Sequence, residues 1–550
     1  MLFITQFYDS GQTYTESILS SVAGVIGMIP DGLVLLTSIS LTVGVIKMAS
    51  KRVIIQKLSG IELLACVDVL CLDKTGTITD GSMDVIDVIN LDKRINIDNI
   101  VRGLVVTDGN ATDKAIIKYF GTDTTLKEIE RLPFSSSRKY SMVEFENGIF
   151  AIGALEYLVD QKLEDYDILK DYLSHGYRIL TLVSCDEKFS KATNKVLGFI
   201  ILKDNIRNNA KETLEYFAKQ DVIVKIISGD NPVTVSNLLK QLEIKDYDKY
   251  ISGTDLPDDY NELKKVINNY TIFGRVTPYQ KQQIVKALKE QAMVGYMGDG
   301  VNDVLALKEA DCGIALASGI NAARSVAEVV LTETDFSVLP LIVDEGRRVV
   351  NNIERVASMY LIKTVYSFFI SITCILLSHE YPFYPVQLSL ISAICVGLPS
   401  FFLAIEPNYT KVEKGFLLKV FRNALPSAIC VWLNTLFLIM ISDIFNLDFD
   451  IFRLTVVAVT GYINLRLLYN ISKPLTLIRK ILVYTCFIAF YLLLIIFNKF
   501  LLVANINVFS IIFIIIIIAA DIYIIDFLES LYDKFAQFYK KRSRVRSEKN

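Results

Sequence analysis

Three groups of polar residues follow apolar runs in the middle of the chain, and their types suit phosphoryl transfer. They are Asp73-Lys74-Thr75-Gly76-Thr77, Ser228-Gly229-Asp230 and Gly298-Asp299-Gly300-Val301-Asn302-Asp303. A carboxylate can attack the terminal phosphoryl group of ATP and become an acyl phosphate. That attack needs a cation to screen the repulsion between anions, and carboxylates such as Asp299 and Asp303 suit Mg²⁺. The pattern predicts that Asp73 is a phosphoryl acceptor.

Further residues supply the charge and the donors that this reaction needs around the transferred oxygens. Lys281, in Arg275-Val276-Thr277-Pro278-Tyr279-Gln280-Lys281, provides a positive charge. The hydroxyls of Ser228 and Thr75 can donate hydrogen bonds. Glycines at 76, 229 and 300 allow the backbone to approach a phosphate closely.

The elements that must position these residues read as strands of a doubly wound parallel sheet. The apolar runs 68–72, 222–227 and 293–297 each end in one of the polar groups, and helical segments alternate with them. Because the carboxyl ends of parallel strands share one edge, the three groups should meet there. We expect this α/β domain to comprise residues 53–81 and 198–340, with a separate domain inserted at 82–197.

Taken together, the three groups resemble the phosphorylation, TGD and hinge motifs of P-type ATPases, with Ser228 in place of the threonine of TGD. The resemblance implies a haloacid dehalogenase-like phosphorylation domain, an inserted α+β nucleotide-binding domain, and ATP and Mg²⁺ as cofactors. It implies that Asp73, the backbone carbonyl of Thr75 and Asp299 hold Mg²⁺. The implied catalytic residues are Asp73, Lys74, Thr75, Ser228, Gly229, Asp230, Lys281, Asn302 and Asp303.

The inserted domain carries weaker similarities to the nucleotide site of that family. Phe134 can stack on adenine, although a core position is the alternative, and Asp113 resembles an acidic residue near the adenine amine. Lys139 and Arg178 are expected to meet phosphates. Asp204 resembles an acidic turn facing the nucleotide, and a plain surface turn is the alternative.

One position departs from the family pattern at this site. Where many relatives read Lys-Gly-Ala, the chain has Ile152-Gly153-Ala154. Gly153 matches, but the preceding positive charge is missing, so the nucleotide is expected to be held differently there.

The composition indicates a membrane protein. Of the 550 residues 52% are apolar, too high a share for an ordinary soluble protein. Bilayer-length apolar segments lie at 17–49 and, within 350–530, at 357–378, 386–406, 424–442, 452–470, 480–498 and 507–528. Residues 1–8 resemble the end of a preceding transmembrane helix. The net charge of −3 favours no nucleic-acid partner.

Basic loops alternate with loops that are nearly free of Lys and Arg, which orients the spans. The loop between the third and fourth spans and the tail at 531–550 are basic, whereas 378–384 and 442–450 are not. We therefore expect the catalytic domains and the C-terminus to lie in the cytosol. The family resemblance, which is to a bacterial cation-transporting branch, implies that the spans lie in a bacterial plasma membrane.

Four residues within the spans are candidates for a transport path. Pro30 breaks the first span, and broken helices with freed carbonyls recur at cation sites. Asp31 beside the break is an ionisable group in the membrane, which is costly and suggests a function. This run resembles the Pro-Glu-Gly-Leu motif of cation pumps; a simple proline kink is the alternative. Lys363 and Ser392 lie in the second and third spans, and snorkelling is the alternative for Lys363.

The family normally places two spans and an actuator domain with Thr-Gly-Glu-Ser before this region. That motif is not in the sequence, so we expect a partial chain whose turnover is poor without a separate actuator-containing fragment. The leading hypothesis is ATP-driven cation transport. A lipid or polyamine cargo and a non-transporting phosphatase-like or regulatory fragment are the alternatives.

Overall fold

The computed structural model describes residues 2–9, 13–107, 109–135, 138–186, 191–332, 336–412, 415–445 and 448–547, with the side chains of Asp9 and of 538–547 not described. The chain divides into two compact units. One contains residues 48–343 and is called the catalytic unit. The other contains residues 1–47 and 344–550 and is called the membrane unit.

The catalytic unit contains all strands of the described chain. In chain order they are β1 (Val53–Ile55), β2 (Val69–Leu72), β3 (Thr79–Asn90), β4 (Glu128–Leu132), β5 (Tyr140–Phe145), β6 (Gly148–Gly153), β7 (Arg178–Cys185), β8 (Lys195–Ile206), β9 (Ile223–Ile227), β10 (Tyr250–Ser252), β11 (Ile272–Gly274), β12 (Val294–Gly298), β13 (Cys312–Leu316) and β14 (Val329–Leu331).

The α-helices of both units are numbered in the same way. They are α1 (Leu2–Ile4), α2 (Tyr14–Met28), α3 (Asp31–Ser50), α4 (Ser59–Ala65), α5 (Ile97–Leu104), α6 (Ala111–Phe120), α7 (Leu155–Leu158), α8 (Lys170–Ser174), α9 (Ala210–Lys219), α10 (Pro232–Gln241), α11 (Tyr260–Val266), α12 (Pro278–Lys289), α13 (Val304–Glu309), α14 (Asn321–Val326), α15 (Leu339–Leu377), α16 (Pro385–Leu390), α17 (Leu398–Ile405), α18 (Phe416–Phe445), α19 (Phe449–Ile471), α20 (Leu477–Ile496) and α21 (Val508–Ser547).

Eight strands form one sheet in the order β1-β14-β13-β12-β2-β9-β11-β10. All neighbours run parallel except β1 with β14. The central strand β2 is buried along its whole length, as expected for a parallel sheet covered on both faces. β12 and β9 pair with β2 on either side, so the ends of all three strands lie at one edge. The predicted doubly wound sheet is confirmed.

A second, antiparallel sheet of six strands has the order β3-β8-β7-β6-β5-β4. Its strands and helices come from the chain between β2 and β9, as expected for an inserted α+β domain. The outer pair β3 and β8 extends past residues 82 and 197, because these twelve-residue strands remain paired from Thr79↔Ile206 to Asn90↔Gly198. Asp204 therefore lies within β8, and the alternative of a surface turn at this residue is wrong.

The membrane unit is helical. Seven segments of the described chain are long and apolar enough to cross a membrane: 14–50, 336–377, 385–405, 416–445, 449–471, 477–496 and 508–537. The second begins well before the predicted residue 357, because amphipathic residues continue the helix beyond the apolar stretch. For the same reason α21 continues into the predicted basic tail. Residues 2–9 are helical, and residues 391–397 form a π-helical stretch between α16 and α17.

Candidate functional site

Asp73 lies directly after β2, at the edge of the parallel sheet. Its backbone N–H donates to the carbonyl of Met297 in β12 at 2.9 Å, which ties it to the neighbouring strand. The residue is 9% exposed. Burial raises the pKa of Asp73 to about 7; the carboxylates of Asp303 and Asp299 act in the same direction and Lys281 opposes them. Asp73 is thus fixed at the end of β2, with its carboxylate nearly buried.

Lys281 is the cation at this site. It lies in the first turn of α12, which begins at Pro278 after a capping box between Thr277 and Gln280. Its ammonium is 2.9 Å from Asp73 Oδ1 and 2.7 Å from Asp303 Oδ1. Burial alone would lower the pKa of Lys281, but the two carboxylates outweigh it and raise that pKa. The lysine therefore stays charged.

Asp303 is almost fully buried, at 1% exposed, and its carboxylate is held by several donors. Besides Lys281, it accepts hydrogen bonds from the hydroxyl of Tyr296 at 2.6 Å and from the N–H of Gly300 at 3.1 Å. The sequence analysis missed Tyr296. The only available signal was its place in β12, two residues before the polar group begins.

Asp299 follows β12 and completes a cluster of three carboxylates. Ligand oxygens of Asp73, Asp299 and Asp303 all lie within 4.8 Å of one another. Burial, and then the charge of Asp303, raises the pKa of Asp299. Three hard oxygen ligands beside a single ammonium fit a divalent cation such as Mg²⁺, which lowers the repulsion that raises these pKa values. A Cβ at Gly76, where φ is +75°, would collide with the Asp299 carboxylate.

Lys74 points to a different pair of acids from those that contact Lys281. Its buried ammonium lies 2.5 Å from Asp204 Oδ2 and 2.5 Å from Asp230 Oδ2. Asp204 belongs to β8 of the inserted sheet, whereas Asp230 follows β9 of the parallel sheet. Burial opposes the charge on Lys74, but the two carboxylates raise its pKa. The Lys74 ammonium thus joins Asp204 and Asp230, which the sequence analysis selected from two other segments.

Arg207 holds the loop that follows Asp73, and the sequence analysis did not select it. Its guanidinium donates to the carbonyl of Thr77 at 3.0 Å and to the carbonyl of Gly76 at 2.8 Å. The arginine comes just after the end of β8, three residues beyond Asp204. Its position beside a selected acid was the one available signal.

The remaining predicted catalytic residues lie at the same edge with less contact to the cluster. Ser228 is 2% exposed, and its hydroxyl accepts from the N–H of Asp230 at 3.2 Å. A Cβ at Gly229 would meet nothing within 4 Å, so the space beside it is open to a ligand. Thr75 and Asn302 are exposed.

Arg178 and the start of α6, which carries Asp113, both lie next to Met83 in β3. The thioether sulfur of Met83 is 3.9 Å from the Thr112 hydroxyl and 3.8 Å from a guanidinium nitrogen of Arg178. Asp113 follows Thr112 in the first turn of α6, and its carboxylate caps that helix by accepting from the N–H of Asn110 at 3.0 Å. Burial raises the pKa of Asp113. The structure thus brings Arg178 and the start of α6 to one face.

The other predicted nucleotide residues flank β5. Phe134 is 47% exposed, so the alternative of a core position is wrong. Lys139 is exposed with φ +61°, and its carbonyl accepts from the N–H of Ala154 at 3.1 Å. Gly153 pairs with Tyr140 in the β5–β6 ladder, where a Cβ would collide with the backbone of Lys139 and Tyr140. Gly153 is thus buried in the sheet, whereas Phe134 and Lys139 are exposed.

In the membrane unit, the predicted break at Pro30 is present. Helix α2 ends at Met28 and α3 begins at Asp31, with Ile29 extended between them. Lys363 of α15 is 2% exposed, so its ammonium is buried within the unit rather than snorkelled outward. Asp31 is close enough to act electrostatically on Lys363 and on Tyr360, although no ion pair joins Lys363 to an acid in the described part of the chain. Asp31 and Lys363 are therefore neighbours but not partners.

Buried hydroxyl groups that the sequence analysis did not select lie in α15 and in the loop that follows it. Tyr366, Ser367, Ser371 and Tyr381 are at most 4% exposed, and the Tyr381 hydroxyl is close enough to those of Ser367 and Ser371 to interact with both. The hydroxyl of Tyr366 has no hydrogen-bond partner among the described residues. Ser367 and Tyr381 pack against Gly27, and Ser371 packs against Gly24. The hydroxyl of Ser392, on the π-helical stretch, is likewise buried without a described partner. Oxygen atoms, and few charges, line this part of the unit.

Comparison with known proteins shows what this chain is similar to. The model of the haloacid dehalogenase-like hydrolases matches residues 67–311. The probable cation-transporting ATPase exp7 of Streptococcus pneumoniae is 40% identical over 78% of this chain and 57% of its own length. The calcium-transporting ATPase CtpE of Mycobacterium bovis is 37% identical over 78% of this chain and 56% of its own. For calcium-transporting ATPase 1 of Saccharomyces cerevisiae the values are 26%, 78% and 55%.

This chain spans about half the length of the curated relatives that it matches. The range 67–311 that matches the family model contains the carboxylate cluster around Asp73. The chain is therefore an integral membrane protein that has a haloacid dehalogenase-like hydrolase domain and is homologous to the cation-transporting P-type ATPases.

Proposed function

We propose that this chain takes part in ATP-driven cation transport and that Asp73 is the residue phosphorylated by ATP. The observation that carries the proposal is the cluster at the sheet edge. Asp73 is held there with its carboxylate 2.9 Å from the Lys281 ammonium and within 4.8 Å of two further carboxylates. A strand-end nucleophile with one cation and a divalent-metal site is what phosphoryl transfer requires.

In the proposed reaction, a carboxylate oxygen of Asp73 forms a bond to the γ-phosphorus of ATP. The bond from that phosphorus to the β–γ bridging oxygen breaks, and ADP leaves with the electron pair. Mg²⁺, held by Asp73, Asp299 and the carbonyl of Thr75, would neutralise charge on the phosphates when bound. Asp303 holds Lys281 against Asp73, and Arg207 fixes the loop that carries Thr75 and Gly76.

We place the nucleotide on the inserted sheet, with its base against Phe134 and its phosphates toward Lys139 and Arg178. The exposure of Phe134 supports this placement, since a stacking platform must be open on one face. Asp204 keeps Lys74 at the side of the site nearest that sheet. Ser228 would donate to the transferred phosphoryl group.

For the cargo we propose a cation, since the relatives named above are cation- or calcium-transporting ATPases. The helix break at Pro30 with Asp31 beside it supports a cation path. The buried Lys363 and the many uncharged oxygens favour testing a polyamine or lipid cargo alongside. The basic loops support a plasma-membrane protein with its catalytic unit and C-terminus in the cytosol.

The test is phosphorylation of the purified chain with γ-labelled ATP and Mg²⁺. Wild type should form an acid-stable, hydroxylamine-sensitive phosphoprotein, because acyl phosphates react with hydroxylamine. Asp73→Asn should remove the label, whereas Asp255→Asn, which changes an exposed carboxylate of the same unit, should keep it. Equal labelling of Asp73→Asn and wild type would refute the proposal.

The cargo is tested with the same readout. The level of phosphoprotein is compared after adding Ca²⁺, other metal ions, polyamines or lipid vesicles, for wild type and for Asp31→Asn. A simple cation should change the level in wild type and not in Asp31→Asn. A response to polyamines or lipids alone would overturn the cation assignment and leave the Asp73 assignment intact.

A further inference from the structure

A cavity of about 630 Å³ lies within the membrane unit, between α18, α19, α20 and α21. It is placed where α18 begins at Phe416, α19 ends at Ile471 and α20 begins at Leu477. Helix ends of this kind lie at the membrane–water boundary. The cavity is therefore at the depth of lipid headgroups and is open at the bundle surface, where Tyr484 is 58% exposed.

Three cations line this cavity, and two of them are fixed by carboxylates. Arg466 is 2.6 Å from Asp526 and donates to the carbonyls of Asp521 and Ile522 at 3.3 Å. Arg422 binds Asp533 through two nitrogens, at 2.6 and 2.8 Å. Guanidinium groups held in this way keep further N–H donors in fixed directions.

Lys473 is the third cation, and its contacts are different. Its ammonium donates to the side-chain oxygen of Asn470 at 3.1 Å and lies 4.9 Å from the centre of the Tyr469 ring. No carboxylate is paired with it in the described part of the chain. Asp526 and Glu529 line the cavity and Asp533 binds Arg422 beside it. Lys473 is thus the one lining cation without a paired carboxylate among the described residues.

The cavity also changes in polarity along its length. Lys473 and Arg422 are close to the helix ends, whereas Val483, Phe487 and Ile522 lie further along α20 and α21 and are apolar. Tyr469 and Tyr462 also line the cavity, with apolar rings and polar tips. The Tyr462 ring packs on Phe487 at the apolar end, with 6.3 Å between the ring centres. A phosphate with glycerol and acyl chains beneath it has the same order of polarity.

We propose that this cavity binds the headgroup of an anionic phospholipid that carries one net negative charge. Basic pockets between transmembrane helices at the membrane boundary suit such headgroups. The phosphodiester accepts hydrogen bonds from Lys473 and from the remaining N–H groups of Arg466 and Arg422, and its negative charge supplies the partner that the Lys473 ammonium lacks. The site does not depend on the phosphorylation proposed for Asp73.

The experiment uses the full chain in neutral detergent micelles, titrated with phosphatidylglycerol, phosphatidylethanolamine or phosphatidylcholine. Bound lipids are counted by native mass spectrometry, and the thermal unfolding midpoint is followed in parallel. Phosphatidylglycerol should be retained and should raise the midpoint more than the two zwitterionic lipids. Lys473→Gln should weaken the retention of phosphatidylglycerol by roughly fivefold, the factor for one basic side chain at a membrane surface.

Lys499→Gln is the matched control, because Lys499 is exposed beyond the opposite end of α20 and does not line the cavity. It should retain lipid as wild type does. Equal retention by Lys473→Gln and wild type would overturn the proposal. Equal retention of phosphatidylethanolamine and phosphatidylglycerol would overturn the selectivity for an anionic headgroup. If soluble glycerol phosphate raised the midpoint as much as phosphatidylglycerol does, the site would bind phosphate and not a lipid.

Discussion

Two buried lysines show how differently the catalytic unit and the membrane unit treat charge. Lys281 is 2% exposed and has two carboxylates within 2.9 Å. Lys363 is also 2% exposed but forms no ion pair with an acid in the described part of the chain. Asp31 interacts with it only by longer-range electrostatic attraction. Burying a charge is costly unless it is paired. The charge of Lys281 is thus stabilised by its two carboxylates, whereas burying Lys363 without an ion pair costs folding free energy. Such a cost suggests that Lys363 has a function.

The same substitution at both lysines should therefore have opposite effects. In Lys281→Met, Asp73 and Asp303 lose their cation in a buried site, which should destabilise the catalytic unit by roughly 3 to 5 kcal/mol. The phosphoprotein should fall by at least ~100-fold, the cost of removing one charge-stabilising donor. Quantitative labelling with ATP and Mg²⁺, together with thermal unfolding of the full chain, measures both.

Lys286→Met, on the exposed face of the same helix, should label and unfold as wild type does. Lys281→Arg keeps the charge and separates electrostatics from folding, since a folded but unlabelled arginine variant still assigns Lys281 to the reaction. Normal labelling of Lys281→Met would break the comparison.

Lys363→Met should leave stability unchanged or raise it, by about 1 kcal/mol. Methionine fills a similar volume, and no carboxylate is left without a close partner. Thermal unfolding in micelles, with Lys499→Met as the exposed reference, measures the effect. A loss as large as that of Lys281→Met would show that Asp31 and Lys363 are a true ion pair.

The smallest effect is expected at the metal cluster and depends on pH. Without Mg²⁺, Asp299→Asn should raise the unfolding midpoint by about 2 °C at neutral pH, because it removes one of three crowded carboxylates. The folded state raises the pKa of Asp299. The folded protein therefore binds more protons than the unfolded chain between the ordinary and the raised pKa, and wild-type stability falls as pH rises through that window.

The advantage of Asp299→Asn should accordingly shrink as the pH is lowered through the raised pKa and then the ordinary pKa of an aspartate, because the carboxyl becomes protonated first in the folded state and then in both states. Adding Mg²⁺ should reverse the order, since wild type keeps all the ligands. A midpoint for Asp299→Asn that is indifferent to both pH and Mg²⁺ would argue against a divalent-metal site.

The sequence predicted that Asp73 and Asp299 would lie close together, because strand register leaves little freedom there. Asp73 and Asp299 each follow a parallel strand, and β2 and β12 are neighbours, so these side chains must meet. Tyr296 and Arg207 were missed, since a strand tyrosine and a loop arginine give no local sign of their partners. Their contacts exist only after β12 and β8 are folded.

The membrane unit was less predictable for a physical reason. The apolar stretches located the spans, and Pro30 located the break, because both are local properties of the chain. Whether Lys363 is buried or snorkelled depends on which face of α15 packs inward, and nearly every face of that helix is apolar. The same applies to the cavity at Lys473, which four helices form only when assembled.

The bridge made by Lys74 has a mechanical consequence. One ammonium holds an acid on the last strand of the inserted sheet and an acid on the edge of the parallel sheet, each at 2.5 Å. If the two sheets move apart, at least one of these two contacts must lengthen, because both are already as short as an ion pair can be. Lys74 thus joins the two sheets, and separating them at this point requires breaking at least one of its two ion pairs.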